Sequence, residues 1–158
     1  MRKFFELLAI LVLLFVPLAA QDFPKAEVFG GYQFTRLEDT VNLNGWNAAL
    51  NGNVDRWFGI TADFSGSYES GSHLYTYMFG PTVSYRTERA VPFAHALFGG
   101  ATSSGETAFS MGLGGGLDVV LADHLALRLA QADWLMFRSH GITSKKNVRY
   151  SAGIVFRF

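Results

Sequence analysis

Apolar and polar residues alternate along most of the chain with a period of two. Tyr75, Tyr77, Phe79, Pro81, Val83 and Tyr85 interleave with Thr76, Met78, Gly80, Thr82 and Ser84. Phe109, Met111, Leu113, Gly115, Leu117, Val119 and Leu121 do the same against Ser110, Gly112, Gly114, Gly116 and Asp118. The chain closes with Val148, Tyr150, Ala152, Ile154, Phe156 and Phe158 against Arg149, Ser151, Gly153 and Arg157. Successive side chains of a strand point to opposite faces, so each segment predicts a strand with a large apolar face and a small or polar one. Segments 58–67, 46–54 and 26–36 repeat the pattern. Two more, about Val91–Thr102 and Leu125–Arg138, bring the predicted strands to eight.

The connections differ in character. Asp55-Arg56, Thr87–Ala90 and Ala122–His124 read as short turns. Leu37–Leu43, Glu69–His73, Ser103–Ala108 and Ser139–Lys146 read as longer polar loops. Short turns at one end and longer loops at the other suit a membrane barrel. The N-terminus has another pattern. Met1-Arg2-Lys3 precedes an unbroken apolar run from Leu7 to Val16, and Leu18-Ala19-Ala20 follows. That is the layout of a secretory signal peptide, and the run is too short to span a membrane as a helix. Residues 1–20 are therefore expected to be cleaved, leaving 21–158 as one domain.

A soluble barrel turns its apolar face inward and a membrane barrel turns it to lipid. The polar face here carries Asn, Asp, Arg and Ser with many Gly and Ala, which suits a narrow lumen of eight strands. The aromatics sort by height. Phe58, Tyr85 and Phe158 fall near one rim; Tyr32, Phe34, Trp46, Tyr68, Tyr75 and Phe109 fall near the other. Such rings mark the two headgroup levels of a bilayer. The predicted fold is all-β: an eight-stranded antiparallel up-and-down transmembrane β-barrel preceded by a signal peptide. Composition narrows this further. With 13 Lys and Arg against 13 Asp and Glu there is no basic excess for nucleic acid. The absence of Cys excludes thiolate chemistry, a disulfide scaffold and a lipoprotein anchor.

The sequence resembles the small bacterial outer-membrane barrels of the OmpA-like and OmpX-like superfamily. The likeness rests on the alternation Tyr150-x-Ala152-x-Ile154-x-Phe156-x-Phe158 and on the hairpin Gly114-Gly115-Gly116-Leu117-Asp118 … Leu125-Ala126-Leu127-Arg128. It implies outer-membrane localisation and contact with outer-membrane lipid. It also implies periplasmic chaperones and a barrel-assembly machinery that reads the terminal strand, with Tyr150, Ile154, Phe156 and Phe158 as the signal. It further implies an inward acid on the Gly-rich strand and an inward Arg on the next, which map onto Asp118 and Arg128. The likeness does not extend to OmpA's peptidoglycan-binding domain, so a cell-wall tether is not expected.

Geometry bears on the same pair. If Leu121 faces Leu125 across a three-residue turn, Asp118 faces Arg128 inside the lumen. Asp63, Gln131, Asp133, Arg149 and Arg157 are the other polar residues expected there. In the seventh strand the apolar residues switch from odd to even numbers after Leu129. One extra residue at Leu129-Ala130, a β-bulge, would turn Arg128, Gln131 and Asp133 all inward. His95 is expected to face the lumen; His73 and His140 are placed in loops on one rim. The spacing suggests no metal site, no cofactor and no catalytic residue; Ser139-His140 lacks the strand-borne arrangement of a lipid A deacylase. The expected function is structural or envelope-integrity, by a monomer whose lumen is plugged by polar and charged side chains. A narrow porin-like channel for ions or small solutes is the alternative, and a lipid A-modifying enzyme a third.

Overall fold

The structure, a computed structural model, describes residues 23–38 and 41–158. The expected signal peptide lies outside them. Eight strands follow one another: β1 Ala26–Arg36, β2 Asn42–Asn53, β3 Phe58–Glu69, β4 Ser72–Ser84, β5 Ala90–Ser103, β6 Glu106–Ala122, β7 Leu125–Ser139 and β8 Ile142–Arg157. Each pairs antiparallel with its neighbours in sequence, and β1 pairs with β8 from Glu27↔Arg157 to Arg36↔Val148, closing the barrel. Closure pairs every strand on both edges, which a bilayer interior demands. At the end that carries the termini, Lys25 N donates to Phe158 O at 2.6 Å and Phe158 N to Ala26 O at 2.8 Å.

The faces sort as the alternation requires. Ile60, Phe79, Val83, Leu113, Leu127 and Ile154 stand on the outer surface; Thr61, Thr82, Gly112 and Ser151 are buried inside. Phe58, Tyr85 and Phe158 lie outside at the terminal end, and Tyr32, Trp46, Tyr68, Tyr75 and Phe109 outside at the far end. There Trp46 Nε1 donates to Tyr68 OH and Tyr68 OH to Tyr75 OH at 3.3 and 3.2 Å, so the polar tips of the girdle satisfy one another.

The connections correct the sequence reading. Three of the four far-end loops expected to be long are two-residue turns: Ser70-Gly71, Ser104-Gly105 and His140-Gly141. All six residues have positive φ, from 37° to 92°, the type I′ geometry that matches strand twist. The polar residues beside them belong to strands, His73 to β4 and Lys145 to β8. The terminal-end connections are as long or longer, at residues 54–57, 85–89 and 123–124. Strands β5 to β8 run 14–17 residues, beyond the roughly 9–11 that cross the hydrocarbon, so the hairpins continue past the far girdle.

β7 carries the bulge. Against β6 its register steps from Leu117↔Ala130 to Asp118↔Arg128, and against β8 from Gln131↔Ser151 to Arg128↔Gly153. Leu129 and Ala130 both face out, while Gln131 and Asp133 are buried. A second irregularity, at Leu121, corrects the expected turn: Ala122, not Leu121, faces Leu125, across Asp123-His124 alone.

A charged lumen as the candidate functional site

Inward positions on six strands meet in one connected network. Across the β6–β7 ladder Arg128 grips Asp118 with two bonds, Nε to Oδ1 at 2.7 Å and Nη2 to Oδ2 at 2.9 Å. Its remaining Nη1 donates to Gln131 Oε1 at 2.7 Å. The guanidinium carbon lies 4.4 Å from the Phe29 ring centre and 4.2 Å from that of Phe93, a sandwich in which the rings' quadrupoles favour the cation.

Gln131 Nε2 passes the network to Asp133 Oδ2 at 2.8 Å. Asp133 also receives Arg149 Nε at 2.8 Å, and His95 Nε2 lies 2.7 Å from its other oxygen, where an imidazole N–H donates to the carboxylate. Arg149 Nη2 is 2.6 Å from Asp133, close enough for charge attraction though too bent for a hydrogen bond. Arg149 Nη1 reaches Asp63 Oδ1 on β3 at 2.7 Å, and Asn47 Nδ2 donates to Asp63 Oδ2 at 3.0 Å. Since β3 and β7 are not neighbours, Arg149 ties walls across the lumen. Its side chain is 0% exposed. Room for Asp133 comes from Gly114, its ladder partner: a Cβ there would lie 2.1 Å from Asp133 Oδ1.

Two features escaped the sequence reading. Glu27, at the terminal end, takes Arg86 through two bonds of 2.9 Å and is also bonded by Asn51 and Asn53 at 3.1 Å. Arg157 Nε lies 3.6 Å from the same carboxylate. Arg86 continues the inward parity of Thr82 and Ser84, so carrying the alternation one step further would have found it. The second is apolar. Met78, Leu97 and Leu135, with Phe137 against them, pack inside the barrel on the far side of His95 and Asp133. Phe29, Ala49, Ala126 and Val155 pack inside nearer the termini. The inward face is thus layered, not uniformly small and polar.

A cavity of about 30 Å³ runs from Glu27 at the terminal end, past Phe29, Ala49 and Val155, to Asp63, His95, Asp118, Arg128 and Gln131, room for a water or two. Among the described residues no three His, Cys, Asp or Glu converge on a common point. Ser139 Oγ and His140 Nδ1 are 2.9 Å apart at the tip of the β7–β8 hairpin. At the far mouth Glu38 accepts from Ser144 Oγ at 2.8 Å and from Lys145 N at 3.3 Å. These bonds, Ser144 first, hold its carboxyl below the ordinary range.

The closed eight-stranded antiparallel ladder is shared with solved proteins. The fold is that of a small outer-membrane β-barrel. Neisserial surface protein A superposes with a TM-score of 0.67 at 11% identity, over 84% of this chain and 96% of that one. The N-terminal β-barrel domain of Pseudomonas aeruginosa OprF gives 0.61 at 10% identity, over 87% and 100%. Ail, the attachment invasion locus protein of Yersinia pestis, gives 0.58 at 15% identity, over 86% and 99%. No protein-family model matches the sequence, and no curated protein sequence matches it. The outer-membrane barrel thus shares its architecture with these proteins over almost their whole length.

Proposed function

We propose that the chain is an integral outer-membrane barrel with a structural, envelope-integrity role, its lumen plugged by its own polar and charged side chains. The observation that carries this is Arg149, fully buried and bonded to Asp63 on one wall and Asp133 on another. A cation so held is costly to release, because removing it strands buried carboxylates. The apolar layer of Met78, Leu97 and Leu135 supports the same reading, since such a constriction resists wetting. Reconstituted into planar bilayers, the mature barrel is expected to give no regular conductance steps, and the Arg149→Ala variant to give openings. Steady steps from the unaltered protein would replace this reading with the porin-like channel.

The same proposal includes assembly by the machinery that inserts such barrels. Tyr150, Ile154, Phe156 and Phe158 are all exposed on the outer face of the last strand, available to be read before closure. Phe158→Ser is expected to lower the inserted protein in cells while refolding into detergent suffers less. Equal insertion in cells would remove this part of the proposal.

A further inference from the structure

The basic residues of the far end are gathered in one sector. Every Lys and Arg described there, Arg36, Arg138, Lys145 and Lys146, falls on three neighbouring strands, β1, β7 and β8. Of the strand acids of that end, Glu69 lies on β3, outside this sector, and Glu106 lies on β6, which borders it beside β7.

All four cations are exposed, and the register turns them outward. Arg36 shares the outward parity of Tyr32 and Phe34, and Arg138 that of Trp134 and Met136. Lys145 and Lys146 occupy the irregularity between Leu135↔Asn147 and Phe137↔Ser144, where β8 has one residue more than β7. Asn147 and Ser144 keep the inward side, bonded to each other, so the two lysines take the outward one. The Trp134 indole donates to Lys145 O and pins this bulge. Glu38 lies against Lys146, and its bonds to Ser144 Oγ and Lys145 N draw its carboxylate toward the mouth. Asp39, the other acid of that loop, lies outside the described residues. Among the described residues no ion pair engages Arg36, Arg138 or Lys145.

These cations stand just beyond Trp134, Tyr150 and Tyr32 on the outer wall. Aromatic rings of this kind mark the headgroup level, and long basic side chains there extend toward the lipid phosphates. Adjacent strands are about 4.8 Å apart, so four cations over three strands cover more than a single phosphate would. We infer that this sector of the barrel wall is a binding site for a lipid headgroup carrying two phosphates in the outer leaflet. The inference rests on the outer-membrane reading.

The test uses the refolded mature barrel in maltoside micelles and native mass spectrometry. The probes are bisphosphorylated lipid A, the same lipid stripped of phosphate, and inorganic phosphate as competitor. The unaltered barrel is expected to retain the bisphosphorylated lipid at least tenfold better than the stripped one, with inorganic phosphate at millimolar concentration failing to displace it. The triple variant Arg138→Gln, Lys145→Gln, Lys146→Gln is expected to lose that preference. Arg56→Gln with Arg89→Gln, at the other end, is expected to keep it. Equal retention by the triple variant, equal binding of the stripped lipid, or full displacement by inorganic phosphate would each overturn the site. Gel migration of unboiled against boiled samples reports folding separately. A triple variant that fails to fold is replaced by Arg138→Gln alone, expected to weaken retention several-fold. Loss of the migration difference in the unaltered protein would sink the barrel reading itself, whereas loss of lipid preference alone would sink only this site.

Discussion

Arg149 and Arg128 point into the same lumen and each is held by carboxylate, yet they are built differently. Arg149 is wholly enclosed, spans three strands and answers to two acids on opposite walls. Arg128 is 12% exposed, answers to one acid directly across its ladder, and lies between two phenyl rings. The first is a cross-brace held by charge. The second is a local clasp, in which packing persists if the charge is removed. Burial therefore decides how much a lost partner costs, more than the number of bonds it made.

The largest effect should come from the brace. Arg149→Met leaves Asp63 and Asp133 buried without their shared arginine, with Asn47 on one and Gln131 and His95 on the other, so unfolding by urea in lipid vesicles should show a loss of about 3–5 kcal/mol. A loss below that of any clasp variant would reverse the comparison. Asp118→Ala should cost less, about 2–3 kcal/mol, because Arg128 keeps Gln131 and its two rings. In the cycle with Arg128→Ala the double variant should lose less than the sum of the singles, and strict additivity would show the pair uncoupled. Smaller again is Glu27→Gln. It keeps the shape and one acceptor while removing the charge that faces Arg86, for about 1–2 kcal/mol by the same unfolding measurement.

The smallest effect lies outside the lumen, at a carboxylate in water. Asp55 Oδ1 accepts the backbone N–H groups of Trp57 and Phe58 at 2.6 and 2.8 Å, and these bonds, Trp57 first, hold its carboxyl below the ordinary value. A lowered folded-state pKa gives stability that is present above the unfolded value, near 4, and is lost as pH falls through the folded one. Asp55→Ala should melt slightly earlier than the unaltered barrel at neutral pH, and the two should converge in acid. A gap that widens on acidification would show the sign to be wrong.

What could be read from the chain, and what could not, follows the same physics. Strands and faces were legible because lipid outside and a narrow lumen inside impose opposite demands on alternate residues. The bulge was legible from the switch of apolar residues from odd to even numbers at Leu129-Ala130. The turns were not, because beyond the girdle an outward residue meets water, and strands such as 142–147 lose their alternation and look like loops. Asp118 and Arg128 are ladder neighbours, so counting from the turn brings them together even with the turn misjudged by one residue. Asp63 and Arg149 meet only through the cylinder's closure, which no local spacing encodes. Parity alone puts Met78 on the inward face, but the layer it forms with Leu97 and Leu135 depends on β4 meeting β7 across the lumen, which no local spacing encodes.

The three two-residue turns have a consequence for whatever approaches from outside. A protease must draw several unpaired residues into its cleft, and exposed loop tips are where it ordinarily succeeds. At Ser70-Gly71, Ser104-Gly105 and His140-Gly141 only two residues lie outside the strands. Cutting there requires a hairpin to be unzipped first, so these three tips should withstand digestion that trims looser barrels. A binding partner arriving from that side meets no adaptable loop at these three tips; it must read side chains fixed on strands.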